Sequence, residues 1–193
     1  MRHLFQYLAI VTSMLFASMA FAQEYTDYII DENNAKIFCK ITQIKKGRVK
    51  YKLKGKSYAT TRNITKLSDV SFSNPDVLQN PLGIELETPE KGYAHVYFYS
   101  SGIPYKVKYN GERLVAIKPG SYFLHQIKSG ETHYYTAHAG GVEITAEDQK
   151  IYLVRGSESK SNLFNSSPTA ELVIDNRKVS EYALLSMKKY AGE

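Results

Sequence analysis

The stretch YKVKYNGERLVAI, residues 105–117, decides the fold class of this chain. Apolar and charged residues alternate through its first five positions, so successive side chains would point to opposite faces of a strand. Asn110-Gly111 then supplies two residues that tolerate positive φ, as the two-residue turn of a β-hairpin requires. A second strand is expected at once, over residues 112–117. The stretch therefore predicts a hairpin, and the flanking sequence extends it into an all-β protein.

Similar turn signals recur at a spacing of about ten residues between positions 92 and 175, as expected of a β-sandwich or a meander. They are Pro119-Gly120, Ser129-Gly130 and Gly140-Gly141. Between the turns, strands are predicted at residues 94–99, 122–127, 133–138, 142–145, 150–155 and 171–174. Residues 180–190 predict a C-terminal helix, with Ser180 as its N-cap and two lysines in its last turn.

Residues 23–74 predict another, smaller all-β unit, which we call the first unit because it precedes the sandwich in the chain. Strands are expected at residues 25–30, 36–44, 48–53, 57–61 and 70–73, and one helical turn within residues 63–68. Five short strands with a helical turn before the fifth is the order of small SH3-like barrels, whose closure removes exposed edges. Residues 75–91 contain three prolines and predict a linker to a sandwich domain over residues 92–193.

The first 22 residues have the three-part layout of a secretory signal peptide. Arg2 and His3 give a positive start, residues 4–16 form a mostly apolar run, and Ala20-Phe21-Ala22 is a cleavage site. The apolar run is too short to span a bilayer comfortably, and no second run follows. We expect cleavage after Ala22, no transmembrane segment afterwards, and an exported protein in the periplasm, at the outer-membrane periphery or outside the cell.

The positive charge is concentrated in one segment of the chain. Between Lys36 and Lys66 there are eleven lysines or arginines and no acidic residue. Residues 75–193 hold thirteen basic and fourteen acidic residues, so the excess of +6 belongs to the first unit.

A lysine-rich hairpin carries most of this charge. Arg48, Lys50 and Lys52 alternate with Val49, Tyr51 and Leu53, so one face of the strand is cationic and the other apolar. One interpretation is a solvated face whose lysines discourage edge-to-edge pairing. The other is an anion-binding strip for acidic lipid head groups, lipopolysaccharide or acidic glycans. Its residues are Lys45, Lys46, Arg48, Lys50, Lys52, Lys54 and Lys56.

An aromatic strip is the second candidate surface. Tyr93, His95, Tyr97 and Tyr99 alternate with Ala94, Val96 and Phe98. If the second set is core, the first is an exposed strip that could stack on sugars or anchor a partner protein. A strand buried on both faces gives the same pattern.

Catalytic and metal-binding signatures do not emerge from the sequence. It contains no G-x-S-x-G, H-E-x-x-H, P-loop or glycine-rich dinucleotide motif. His133 and His138 differ by five positions and would face opposite sides of a strand. Cys39 shares a face with Ile37 and Ile41 and is interpreted as a small buried hydrophobe. We therefore expect no enzyme, no metal and no cofactor.

Residues 92–190 resemble a bacterial domain-of-unknown-function family, number 2846, of exported β-sandwich proteins. The similarity rests on AHVYFY (94–99), KVKYNGE (106–112), KPGSYF (118–123) and KIYLVR (150–155). The resemblance implies a transthyretin-like or carboxypeptidase-regulatory-like sandwich without an enzymatic site. Ser129-Gly130 stands where Pro-Gly is usual, and Tyr152-Leu153 replaces a doubled tyrosine. Residues 25–73 look like a small SH3-like barrel-type module of exported Bacteroides-group proteins, through their strand order and lysine-rich hairpin.

These observations together favour a non-enzymatic, exported accessory protein of the bacterial cell envelope. The basic unit would contact an anionic envelope surface, and the sandwich an envelope protein. Nucleic acid is also a polyanion and could bind the same cations, but the expected export and the lack of a recognised nucleic-acid-binding fold argue against it. The alternative is a glycan-binding module that uses the tyrosine strip.

Overall fold

The computed structural model describes residues 25–80, 86–159 and 169–190. Over these ranges the chain is mostly β, with fourteen strands in three sheets and one α-helix. The fold class predicted from the sequence, all-β with a C-terminal helix, is confirmed at this level. The predicted signal peptide, with its expected cleavage after Ala22, lies outside the described residues.

Five antiparallel strands form the first sheet, in the order β4-β3-β2-β1-β5. They are β1 (Asp27–Asp31), β2 (Lys36–Lys45), β3 (Arg48–Lys52), β4 (Ala59–Asn63) and β5 (Leu67–Ser71). A 3-10 turn, Ile64–Lys66, precedes β5, as the sequence predicts. Strand β2 is divided between two partners, because residues 36–39 pair with β1 and residues 40–45 pair with β3. A bulge between Ile41 and Gln43 interrupts the pairing with β3.

The remaining strands form a four-stranded and a five-stranded sheet, in the orders β11-β10-β7-β8 and β13-β12-β6-β9-β14. In chain order they are β6 (Tyr93–Ser100), β7 (Tyr105–Tyr109), β8 (Glu112–Ile117), β9 (Ser121–Lys128), β10 (Thr132–Thr136), β11 (Gly141–Thr145), β12 (Ile151–Ser159), β13 (Thr169–Ile174) and β14 (Lys188–Lys189). Asn110 and Gly111 have φ angles of 50° and 86°, so the turn predicted for the hairpin is confirmed.

A core lies between these two sheets. Val96 and Phe98 of β6 face Val107 of β7 and Val115 of β8, and all are buried. Phe98 packs edge-on against Tyr135 of β10, with 4.9 Å between the ring centroids. The pairing of a four-stranded and a five-stranded sheet around one core makes this part of the chain a two-layer sandwich.

A second core joins the first sheet to the sandwich. Ile29, Ile44 and Val49 of the first sheet belong to the same buried cluster as Tyr99 of β6 and Leu184 of helix α1 (Lys178–Leu185). The outer face of the five-stranded sheet is therefore covered rather than exposed to solvent. The first unit and the sandwich thus share buried apolar surface, the dominant stabilising term in folding.

The structure corrects the limits of two predicted segments. Helix α1 begins after Arg177, so Ser180 is a buried helical residue and not the N-cap. Lys188 and Lys189 lie beyond the helix, where they pair in parallel with β9 and cover an edge of its sheet. Part of the predicted linker is also packed, because Val77 is buried and Gln79 N donates to Ile44 O at 2.9 Å. Of the residues that the structure describes, none belongs to a helix long and apolar enough to cross a membrane.

Candidate anion-binding site

The basic face is the outward surface of β2 and β3. In β3 the exposed side chains alternate with buried ones, so Val49 and Tyr51 enter the core while the cations between them face solvent. Lys45 is directly opposite Arg48, and Lys40 is directly opposite Lys52. Directly opposed like charges destabilise a sheet. We call Lys40, Lys45, Arg48, Lys50 and Lys52 the basic face.

A groove of about 310 Å³ opens at one end of the basic face. Four cationic residues line it, Lys45, Lys46, Arg48 and Lys50. Gln43 and Thr61 add polar groups, and Pro119-Gly120 of the sandwich closes one side. None of the lining residues is acidic, and within the described ranges no carboxylate lies at salt-bridge distance from these four cations. A groove of this composition attracts anionic groups.

The turn that carries the groove is fixed against the sandwich. Lys46 and Gly47 have φ angles of 52° and 71°, the backbone of a two-residue hairpin turn. Lys46 N donates to Ser186 O, and Gly47 N donates to Ser186 Oγ, both at 2.8 Å. Gly47 is pressed against Ser101 and Met187, where a Cβ atom would collide. The turn between β2 and β3, which carries Lys46 and adjoins Lys45 and Arg48, is therefore held in place by its contacts with the sandwich.

The seven predicted anion-binding residues are all exposed, and the structure divides them into two groups. Lys45, Lys46, Arg48 and Lys50 meet in the groove. Lys52 ends β3, and Lys54 and Lys56 follow in the turn toward β4, outside the groove lining. The first group can hold one compact anion, whereas the second can add only to the general field.

The predicted aromatic strip is wrong as an exposed surface. Tyr97 and Tyr99 are 2% and 0% exposed, His95 is buried, and only Tyr93 reaches solvent. The cause is the first unit and helix α1, which cover this face of the five-stranded sheet. Burial raises the pKa of Tyr97 to about 12. The alternative of a strand buried on both faces is the one that the structure supports.

A different pair of aromatic residues lies on the outward surface of β1 and β2. Tyr28 and Phe38 are cross-strand partners whose ring centroids are 6.5 Å apart, in an edge-to-face arrangement. Lys36 Nζ lies 3.8 Å from the Tyr28 centroid and 5.3 Å from that of Phe38. We call these three residues the aromatic pair and its lysine. The sequence reasoning missed them, although the alternation that buries Cys39 also turns Phe38 outward.

A larger cavity, of about 850 Å³, lies between the first unit and the sandwich. Its charged wall contains Asp175, which accepts hydrogen bonds from Arg155 Nε and Arg177 Nε, each at 2.7 Å. Arg177 also donates to the carbonyl oxygens of Leu67 and Thr65, at 2.9 and 3.0 Å. These guanidinium groups are engaged by the protein itself. The network is therefore a clamp between the two units, not the favoured anion site.

The histidines lie apart from the basic face. His125 Nδ1 is 2.9 Å from Tyr135 Oη, and His133 Nδ1 is 2.9 Å from Tyr109 Oη. Burial, followed by the neighbouring His133, lowers the pKa of His125. Across the described ranges no group of three potential metal-ligating side chains was found. This cluster is part of the sandwich interior.

Cys39 lies inside the first sheet and is fully buried. Burial, with a smaller contribution from Asp27, raises the pKa of its thiol to about 11. The interpretation of this residue as a small hydrophobe is confirmed, because a thiol so rarely ionised is a poor nucleophile and a poor metal ligand.

Comparison with protein-family models, with curated proteins and with solved structures finds no match for this chain. The resemblance of residues 92–190 to domain-of-unknown-function family 2846, and that of the first unit to exported Bacteroides-group modules, stay predictions.

Proposed function

We propose that the protein is a non-enzymatic, exported accessory protein of the bacterial cell envelope whose first unit contacts an anionic surface. The observation that carries the proposal is the groove, where four cations converge without a carboxylate among the lining residues. Like charges held side by side cost stability unless an opposite charge offsets them. An anionic envelope surface would supply that charge. The signal-peptide layout of residues 1–22 supports export.

We also propose a more specific fold for each of the two units. The first unit would be an SH3-like barrel, which is supported by its strand order, its divided β2 and the 3-10 turn before β5. The second would be a transthyretin-like sandwich, supported by its two sheets around one core. The sandwich would then be the unit that contacts a protein partner.

The glycan-binding alternative loses its physical basis. It requires rings that can stack on sugars, but Tyr97 and Tyr99 are buried in the shared core.

Charge reversal tests the proposal. The chain from residue 23 onward, which contains every described residue, is made with three of the four groove cations, Lys45, Arg48 and Lys50, replaced by glutamate. If each lysine or arginine near an anionic surface contributes about 1 kcal/mol, reversing three should weaken binding to phosphatidylglycerol vesicles by at least roughly a hundredfold.

A matched control keeps the net charge of the variant. Lys91, Lys106 and Lys108 are exposed on the sandwich side, and their replacement by glutamate changes the charge by the same amount. The control should bind like the unmodified chain. Equal loss in both variants would mean that only net charge matters, and no loss in either would overturn the proposal.

A further inference from the structure

Phe38 is the most conspicuous apolar side chain in the first sheet, because 60% of its surface is exposed although it lies within β2 and is paired with Tyr28 of β1. Its neighbours on the same face of β2 are Lys36 and Lys40, and Lys40 in turn is opposite Lys52. The exposed phenylalanine thus has a lysine on either side of it along the strand. Alternation alone would be equally satisfied by a polar residue at this position.

The ring of Phe38 is held by its neighbours. Tyr28 packs edge-on against it, and the Tyr28 hydroxyl donates to Asp69 Oδ2 at 3.5 Å. Lys36 Nζ lies over both rings. An ammonium group over an aromatic face is attracted by the ring quadrupole. The aromatic pair and its lysine therefore present apolar surface with a cation beside it.

A lipid bilayer is the anionic surface that matches this arrangement. Its head groups would meet the lysines, and the apolar boundary directly beneath them would receive an aromatic ring. A soluble polyanion offers the charge without the apolar layer.

We propose that Phe38, supported by Tyr28 and Lys36, inserts into the head-group boundary of an anionic phospholipid bilayer while the basic face contacts the phosphate groups. This inference rests on the proposed function and names its partner, since it selects a lipid surface over acidic glycans. Removing the ring should therefore weaken binding to vesicles and leave binding to a soluble polyanion unchanged.

The first test compares Phe38→Ser with the unmodified chain on phosphatidylglycerol/phosphatidylcholine vesicles and on inorganic polyphosphate. Transfer of a phenylalanine side chain out of water predicts vesicle binding weaker by at least about tenfold. Polyphosphate binding should stay within about twofold, because salt-dependent attraction needs only the cations. Tyr134→Ser removes an exposed aromatic from the sandwich, where 53% of the side chain is accessible, and should change neither. Circular dichroism verifies that each variant is folded.

A second test reports insertion directly. The chain contains no tryptophan, so Phe38→Trp introduces the only indole. Its emission should shift to the blue on anionic vesicles and be quenched by brominated lipid, whereas Tyr134→Trp should show neither effect.

The outcomes separate the two proposals. Equal vesicle binding by Phe38→Ser, with an unquenched F38W indole, would overturn the insertion of Phe38 and leave the basic face as an anion site. Binding to polyphosphate but not to vesicles would also overturn it and favour a soluble polyanion. Binding to neither probe by the unmodified chain would overturn both proposals.

Discussion

Replacing Asp175 by asparagine should loosen the clamp between the first unit and the sandwich. The Asp175 side chain is 4% exposed and forms ion pairs with Arg155 and Arg177. Burial by itself would raise its pKa, but hydrogen bonds from Arg177 and Arg155 outweigh burial and lower the pKa from 3.8 to about 2. Asparagine has nearly the shape of the protonated carboxyl group and lacks the charge that both guanidinium groups require.

The magnitude follows from the two pKa values. Each pKa step of one is worth about 1.4 kcal/mol, so a fall from 3.8 to about 2 corresponds to roughly 2.5 kcal/mol of folding free energy. This is slightly below the usual cost of breaking a buried ion pair by removing one partner, about 3–5 kcal/mol. For a chain of 193 − 22 = 171 residues, it should lower the melting temperature by roughly 5–10 °C.

The effect should depend on pH in one direction. A carboxyl group whose pKa is depressed by folding contributes its stability above the unfolded pKa and loses it as the pH falls from about 4 toward 2. Urea unfolding of both proteins at about pH 7, 4 and 2.5 measures this directly. The difference in unfolding free energy should be full at neutral pH and small at the lowest pH.

An exposed carboxylate provides the control for Asp175. Glu143 lies on the solvent side of β11, and Glu143→Gln should change stability by less than about 0.5 kcal/mol. A cost below that value for Asp175→Asn at neutral pH, or a cost that does not change with pH, would refute the reasoning.

Three further predictions concern the fold. Gly47→Ala should lower the unfolding free energy in urea by roughly 2–4 kcal/mol, and Gly55→Ala by only about 1 kcal/mol. Both glycines have positive φ, but only Gly47 is pressed against other atoms. Equal losses would contradict the close packing of the β2–β3 turn. Cys39 should resist a thiol reagent at about pH 8 until the protein unfolds, because burial raises its pKa to about 11; rapid native labelling would contradict its burial. The unfolding free energy should fall as the pH drops through about 6.5, since the unfolded chain protonates His125 more readily; His125→Gln should reduce that slope, and an unchanged slope would assign it to other groups.

Local pattern predicts most of the strands correctly. The alternation in β3 and the Asn110-Gly111 turn each depend on a few adjacent residues, and the structure retains both. These features could be predicted because side-chain period and turn backbone are local properties. For the same reason, the alternation in β3 correctly predicts that Arg48, Lys50 and Lys52 face solvent.

The rest depends on packing between distant segments. Alternation does not distinguish a second face of β6 that meets water from one that meets another unit, so it does not predict whether Tyr97 and Tyr99 are buried. The groove needs Pro119-Gly120 to approach the β2–β3 turn, and no local signal states this. The same holds for β14, which exists only because the chain after helix α1 returns to the edge of β9.

Co-sedimentation of the chain from residue 23 onward with anionic and neutral vesicles, at low and high salt, tests the central claim most directly. Electrostatic attraction between exposed charges is screened within about 3 Å at 1 M salt, compared with about 30 Å at 0.01 M. The account predicts binding to phosphatidylglycerol-containing vesicles at low salt, much weaker binding at high salt and little binding to phosphatidylcholine vesicles. Absence of binding to the anionic vesicles at low salt would contradict it and leave the lysines as a solvated face.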